Sequence, residues 1–151
     1  MKPELIRLLV LPAFIVTLAV RAFAQSAPPI EVAAEDVLIY PREQFVMPDV
    51  HVGDSCAPIT FTITNVGDKP LHLRGAAPVF VSGDDPTMYS IVREPVDALP
   101  PGASATFRLV FAPTDLGQKS AILTIVTSDP NSPSYSFYVI GNGIGSPQSS
   151  L

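Results

Sequence analysis

The sequence predicts an all-β protein, an antiparallel β-sandwich of about seven to eight strands. Two segments carry this prediction, because apolar side chains alternate in them with hydroxyl or charged side chains: residues 59–64 (ITFTIT) and residues 105–111 (ATFRLVF). Turn sequences border them, such as NVGD at residues 65–68 and PPG at residues 100–102. Alternation with a period of two between such turns, without a helical period, is typical of stacked antiparallel sheets.

The remaining strands are predicted from the same alternation, in chain order. Residues 37–40 form a first edge strand that Pro41 ends, and the last strand ends at Gly141-Asn142-Gly143. The other predicted strands are a short extended piece at residues 50–52, a central strand at 59–64, then 71–73, two loosely patterned pieces at 78–81 and 88–91, and the late strands 105–111, 121–127 and 135–140. The 17 prolines cluster outside these strands, as expected where proline ends strands and blocks sheet edges.

The late strands are apolar on both faces, which is unusual for a sandwich in water. One set of side chains is predicted to fill the core: Phe107, Leu109, Leu123, Ile125, Phe137 and Val139. The period of two then directs a second apolar set outward: Val110, Ile122, Val126, Tyr138 and Ile140. We interpret this second set as a candidate protein-interaction face. Two alternatives are that these residues are simply good strand formers, or that the N-terminal segment covers them.

The first 24 residues have the features of a secretory signal peptide. Lys2 and Arg7 give a basic start, Leu8–Val20 is apolar, and Ala22-Phe23-Ala24 is a cleavage signal. The apolar run has about 13 residues, fewer than the roughly 20 of a membrane-spanning helix. Arg21 lies between the run and the cleavage signal, so an uncleaved anchor stays an alternative. We therefore predict an exported protein, periplasmic or extracellular, with a linker at 25–36, one domain at 37–143 and a disordered tail at 144–151.

The charge and the single cysteine restrict the class of partner. The formal net charge is −5, which opposes binding to nucleic acid or anionic lipid. Cys56 is the only cysteine, so an intrachain disulfide is impossible. A buried small side chain near a strand start is the favoured interpretation, ahead of an intermolecular disulfide or a reactive thiol.

Catalytic and metal-binding motifs are not recognisable in the sequence. The two histidines, His51 and His72, belong to no catalytic motif, and alternation directs His72 towards solvent. Calcium needs six to eight oxygen ligands. The acidic loops at Asp84-Asp85 and at Asp129 to Asn131 would therefore have to converge to bind it. We predict no enzyme activity, no cofactor and no metal site.

A series of turn and strand motifs follows in order along the chain: Asn65-Val66-Gly67, Leu71-His72-Leu73, residues 99–103 (LPPGA), Phe111-Ala112-Pro113, Gly117, Leu123-Thr124-Ile125, Ser128-Asp129-Pro130 and Gly141-Asn142-Gly143. Their order and spacing resemble those of the ASH (ASPM–SPD-2–Hydin) domain family, whose bacterial members are called choice-of-anchor D domains. The resemblance implies an immunoglobulin-like sandwich, related to major-sperm-protein domains, with a protein-binding or scaffolding role. It implies no catalytic residues.

Together these features predict an exported, non-enzymatic interaction module that binds a protein partner in the bacterial envelope or outside the cell. Two alternatives stay open. One is a loop-based glycan- or calcium-binding domain, for which Phe80 and Tyr89 are the few aromatic side chains near the loops. The other is a chaperone or subunit of a surface fibre, whose signature would be an open groove or a missing strand.

Overall fold

The alternating segments form the two layers of a β-sandwich in the computed structural model, which describes residues 29–145. The strands are β1 (Ile30–Ala34), β2 (Val37–Leu38), β3 (Gln44–His51), β4 (Ile59–Asn65), β5 (Leu71–His72), β6 (Val79–Ser82), β7 (Tyr89–Arg93), β8 (Ala98–Leu99), β9 (Ser104–Phe111), β10 (Gly117–Val126) and β11 (Ser134–Ile144). A short 3₁₀ helix at Pro86–Met88 precedes β7. Between residues 29 and 145 there is no helix with the length and hydropathy needed to cross a membrane.

The strand order is that of an immunoglobulin-like domain. One layer is a sheet of five strands in the order β2-β1-β4-β9-β7, and the other is a sheet of four in the order β3-β11-β10-β6. The two short strands β5 and β8 pair with each other in a separate two-stranded sheet. Without β2 and β3, these orders correspond to strands ABED and GFC of an immunoglobulin constant-type domain. The predicted sandwich is therefore confirmed. The prediction of antiparallel sheets needs one correction, because β3 pairs with β11 in parallel.

The predicted core is confirmed. Phe107, Leu109, Leu123, Ile125, Phe137 and Val139 are all fully buried. Phe61 on β4 lies at the centre, with its ring stacked on Phe107 at a centroid distance of 5.0 Å and tilted towards Phe137 at 5.8 Å. These rings join the two sheets, and aromatic pairs of this geometry add to the free energy gained by burial.

The predicted linker at residues 25–36 is wrong over its second half. Residues 30–34 form β1, which pairs along its whole length with β4 and buries Ile30, Val32 and Ala34. A two-residue turn, with φ of 48° at Glu35 and 66° at Asp36, then returns the chain as β2. This type of turn suits the twist of a β-hairpin, so the domain begins before residue 37. The predicted signal peptide and residues 25–28 lie outside the described residues.

The predicted end of the last strand is also too early. β11 continues through Gly141 and Gly143 to Ile144, which is the partner of His51 on β3. Both glycines are needed because the chain packs too closely for a side chain. A Cβ at Gly141 would overlap with the Phe111 ring, and one at Gly143 would overlap with the Asp115 carbonyl. Residues 146–151 of the predicted tail lie outside the described residues.

Candidate functional site

Four of the five residues of the predicted interaction face lie together on the solvent side of the four-stranded sheet. Ile122 on β10 is directly opposite Tyr138 on β11, and Ile140 follows two residues further along the same face. Val126 lies at the end of β10, opposite Ser134. Tyr138 keeps 40% of its surface exposed, and the three aliphatic side chains are half-buried.

Val110 does not belong to this group. It lies on β9, in the five-stranded sheet, where its partner is Ser90 on β7. The alternation correctly predicts that Val110 points away from the core, but it does not indicate which sheet the residue belongs to. The prediction that all five residues share one face is therefore wrong for Val110.

Two residues that the sequence analysis missed extend the group across all four strands. Val46 on β3 is the register partner of Ile140 and is 72% exposed. Phe80 on β6 is the register partner of Thr124, which lies two residues from Ile122 on the same face, and Phe80 is 41% exposed. We call the diagonal of Phe80, Ile122, Tyr138, Ile140 and Val46 the apolar diagonal. The position of Phe80 between Val79 and Val81 in a predicted strand was a signal that its side chain points outward. No strand was predicted at Val46, so nothing in the sequence analysis indicated that residue.

The two outer faces of the sandwich differ in charge. The outward positions of β6, β10 and β11 carry only apolar, hydroxyl and amide side chains. Thr124 and Ser136 join β10 to β11 on this face, with their hydroxyl oxygens 3.0 Å apart. The outer face of the five-stranded sheet instead carries threonines together with the charged side chains of Glu31 and Arg108. The nearest carboxylates lie at its border: Asp49 on β3 is the register partner of Asn142, and Asp84 accepts a hydrogen bond from the Ser120 hydroxyl at 3.3 Å. In a protein with net charge −5, an apolar face without charge at its centre is the surface best suited to close protein contact.

The acidic loops proposed as calcium ligands do not converge. Asp85 accepts a hydrogen bond from the Ser120 N–H at 3.0 Å, near the beginning of β10. Asp129 accepts one from the Asn131 N–H at 2.7 Å, beyond the other end of the same strand. Among residues 29–145, no three His, Cys, Asp or Glu side chains are placed to hold a metal ion together.

The remaining candidate groups have local structural contacts. His51 Nδ1 lies 2.7 Å from the Gly145 carbonyl oxygen, and His72 is exposed, as the alternation predicted. Cys56 is half-buried against the core, and its Sγ accepts a hydrogen bond from the Phe111 N–H at 3.2 Å. Tyr89 is buried while Phe80 is exposed, so these two rings do not form a common platform for a glycan.

A polar cleft of about 580 Å³ lies at the end of the sandwich. It is bordered by the β4–β5 turn and the β10–β11 loop, with Asp68, Lys69, Ser128, Asp129 and Asn131 among its lining residues. Its volume falls within the usual range for small-molecule sites. The described residues that line it include no aromatic side chain, which a glycan site would use for stacking.

Comparison with known proteins supports the fold. No family model and no curated protein sequence matches the chain. Among solved structures, the ASH/PapD-like domain 7 of human CEP192 matches with a TM-score of 0.58 and 16% identity, over 89% of this chain and 99% of that domain. A protein of unknown function from Porphyromonas gingivalis W83 matches with a TM-score of 0.55 and 20% identity, over 75% of this chain and 46% of that one.

The fold also occurs as a part of larger proteins. The secreted serine protease VesC from Vibrio cholerae matches with a TM-score of 0.52 and 23% identity, over 74% of this chain but only 23% of VesC. At these identities the likeness concerns the fold alone. The strand order, the buried core and these structures agree, and the chain has the immunoglobulin-like sandwich fold of the ASH and PapD-like domains.

Proposed function

We propose that the protein is an exported, non-enzymatic module that binds another protein through the outer face of the four-stranded sheet. The observation that carries the proposal is the apolar diagonal of Phe80, Ile122, Tyr138, Ile140 and Val46 on a face without charged side chains on β6, β10 and β11. Sandwich folds have no built-in chemistry, so function depends on the residues at their surfaces. The signal-peptide features of residues 1–24 support export to the periplasm or the cell exterior.

The chemistry of the face specifies the partner. A charged side chain pressed against Ile122 and Tyr138 would lose its water at a cost of several kcal/mol, because no outward side chain of β6, β10 or β11 carries a charge that could pair with it. The partner surface is therefore apolar and uncharged at its centre. The hydroxyl pair of Thr124 and Ser136 can exchange hydrogen bonds with polar groups at its border.

The size of the face indicates a reversible complex. Four strands spaced about 4.8 Å apart and about eight residues long present roughly 500 Å². Stable complexes bury about 800 Å² on each partner. Unless the partner also reaches over a sheet edge, we expect a complex that dissociates readily.

The proposal is tested by crosslinking in the producing cells, followed by pull-down and identification of the captured protein. Replacing Ile122 and Tyr138 with Asp places two charges at the centre of the face, and we expect capture to be lost. The matched control replaces Thr60 and Ser90 with Asp, which adds the same charge to exposed positions of the other sheet. Equal capture by both variants would contradict the proposal.

The competing hypothesis of a glycan or calcium site is tested by a thermal-shift screen with calcium, a chelator and envelope polysaccharides. A rise in melting temperature with one of these ligands, lost on replacing Asp68 or Asp129 with Asn, would favour the polar cleft. An unchanged melting temperature across the panel favours the interaction module.

A further inference from the structure

A second, smaller pocket of about 170 Å³ opens where β1 and β2 meet the beginning of β11. Its inner wall consists of the buried side chains of Ile30, Val32 and Ile39. Tyr135 also lines it and is held in place because its hydroxyl donates a hydrogen bond to the Ile39 carbonyl at 2.6 Å. The pocket therefore reaches the boundary of the hydrophobic core.

Exposed apolar side chains form the rim of this pocket. Leu38 is 43% exposed, Val66 is 50% exposed and Tyr40 is 57% exposed. Leu38 lies on β2, Tyr40 in the segment between β2 and β3, and Val66 in the turn after β4, so three separate segments direct apolar surface to one opening. A set of exposed apolar side chains around a concave site is typical of a binding surface.

The edge of β1 beside the pocket is open along part of its length. β2 pairs with Ala33 and Ala34, and the Ile39 N–H then donates to the Val32 carbonyl at 2.8 Å. Two residues after Ile39, the chain reaches Pro41 at the level of Ile30, and Pro41 has no N–H to donate to β1. Since backbone groups alternate in direction along a strand, the N–H and C=O of Ile30 face this same side, where no described strand pairs with them.

The electrostatic surroundings of the pocket are acidic. Glu31 lines it, and Glu43 lies close by because its carboxylate accepts a hydrogen bond from the Tyr40 N–H at 2.9 Å. Burial, followed by repulsion from Glu43 and Glu31, raises the pKa of Tyr135 to about 12. None of the described lining residues is basic; Arg42 lies in the adjacent turn, outside the lining, and is exposed.

We propose that this pocket binds an extended segment of a partner protein, which inserts one aromatic or branched aliphatic side chain flanked by Lys or Arg. An apolar cavity of about 150 Å³ is large enough to hold a benzene ring, so the volume suits a single such side chain. The flanking cations pair with Glu31 and Glu43, and the segment's backbone bonds to Ile30 as an added strand.

This site is distinct from the face in the proposed function. The pocket lies at the sheet edge and is lined by core-facing side chains, whereas Ile122 and Tyr138 lie on the outer face of the four-stranded sheet. The two proposals can therefore fail separately. Variants in one site are the controls for the other.

The test uses the protein produced from its full sequence and three fluorescent nine-residue peptides of serine and threonine. The peptides differ only in their central residues, which are Lys-Phe-Lys, Lys-Ser-Lys or Glu-Phe-Glu. We expect Lys-Phe-Lys to bind most tightly in an anisotropy titration and to shift the amide NMR signals of Ile30, Leu38 and Tyr40. Its affinity decreases with added salt, because exposed charges are screened.

Two sets of variants separate the apolar from the electrostatic contribution. Leu38→Ser at the rim is expected to weaken Lys-Phe-Lys binding about tenfold, while Leu116→Ser, an exposed leucine elsewhere, leaves it unchanged. Glu31→Gln combined with Glu43→Gln keeps the side-chain volumes and the acceptor for the Tyr40 N–H. We expect this double variant to bind Lys-Phe-Lys about two- to fivefold more weakly. We also expect it to bind Glu-Phe-Glu as tightly as Lys-Phe-Lys.

Several results would overturn the proposal. The first is that the Lys-Phe-Lys peptide does not bind at millimolar concentration. The second is that the Lys-Ser-Lys peptide binds as tightly as Lys-Phe-Lys. The third is that Leu38→Ser and Leu116→Ser change the affinity for Lys-Phe-Lys equally. Loss of peptide binding in the Ile122→Asp, Tyr138→Asp variant would also overturn it, because that variant leaves the pocket intact. Circular dichroism checks that each variant is folded. If Leu38→Ser does not fold, the Glu31→Gln, Glu43→Gln variant still tests the pocket.

Discussion

Tyr89 and Gly141 connect the two sheets by a buried hydrogen bond, in which the Gly141 N–H donates to the Tyr89 hydroxyl at 2.9 Å. The same hydroxyl donates to the Lys119 carbonyl at 2.8 Å. Tyr89 belongs to β7 of the five-stranded sheet, while Lys119 and Gly141 belong to β10 and β11 of the other. Its ring stacks on Phe111 at a centroid distance of 4.9 Å. One side chain thus satisfies two backbone groups across the core.

Replacing Tyr89 with Phe is expected to lower the free energy of unfolding by about 1–3 kcal/mol, because the buried Gly141 N–H and the partly buried Lys119 C=O lose their partner. Urea denaturation measures the change. The control is Tyr138→Phe, whose hydroxyl lies on the exposed outer face, and its effect is expected to stay within about 0.5 kcal/mol. Equal effects of the two variants would show that the bridge contributes nothing.

Alkaline pH is expected to destabilise the protein through two tyrosines. Burial, with a smaller contribution from repulsion by Asp85, raises the pKa of Tyr89 from 10.0 to about 12, and the pKa of Tyr135 is raised to about 12 as well. Because the folded pKa exceeds the unfolded one, the stabilisation is complete below pH 10 and is lost as the pH rises towards 12. The loss amounts to roughly 2 kcal/mol for each tyrosine.

This pH dependence is measured by denaturation at several pH values between 9 and 12, with tyrosinate absorbance followed in parallel. Other groups titrate in the same range, so the matched control is the Tyr89→Phe, Tyr135→Phe double variant. Its stability should decrease less steeply with pH. Identical slopes for the double variant and the natural protein would contradict the prediction.

Gly141→Ala is expected to destabilise the fold by overpacking. A Cβ at this position overlaps with the ring of Phe111, which is fully buried and cannot move freely. Such overpacking costs about 1–3 kcal/mol. In a Phe111→Leu background the same glycine substitution should cost less, because the smaller side chain leaves room. Denaturation of the four proteins in this double-mutant cycle measures the difference, and a cycle without coupling would exclude the clash as the cause.

Asn65→Asp is expected to be more disruptive than its similar size suggests. The Asn65 amide is fully buried, donates to the carbonyls of Lys69 and Leu99 at 2.8 Å each, and accepts from the Gly67 N–H at 3.0 Å. A carboxylate cannot donate, so it would face both carbonyls as a buried charge, at a cost of about 3 kcal/mol or more.

Lowering the pH protonates the new carboxyl group and should recover part of the lost stability, since a protonated acid can donate one hydrogen bond. Thermal unfolding of Asn65→Asp between pH 4 and 7 measures this recovery relative to the natural protein. The control is Asn131→Asp in the exposed β10–β11 loop, for which we expect no comparable change. A melting temperature of Asn65→Asp equal to that of the natural protein would refute the argument.

The sequence predicted those strands in which the alternation is regular and long. β4, β9 and β10 fulfil this condition, and the core residues predicted on β9 and β10 are buried. The sequence does not indicate β1, because its alternation is short, ends in two alanines and follows Pro28-Pro29. β3 was missed for most of its length, since its buried residues Met47 and Val50 are three positions apart. The β3–β11 register shifts between Val46 and Asp49, which breaks the period of two.

The candidate face was predicted only in part, for a different reason. Alternation showed that Val110 and Ile122 both point away from the core, as the structure confirms. It gave no indication that Val46 belongs to the apolar diagonal, that Phe80 lies beside Ile122, or that β1, β2 and β11 enclose a pocket around Ile30 and Tyr135. These features depend on which strands become neighbours.

The amino-acid sequence by itself determined which side chains are buried in the late strands, because the direction of a side chain in a strand depends only on its position in a local period of two. The tertiary structure alone decided which outward side chains meet. Strand order results from pairing between distant segments, such as β3 with β11 in parallel and β9 between β4 and β7. That pairing places Val110 in one sheet and Ile122 in the other.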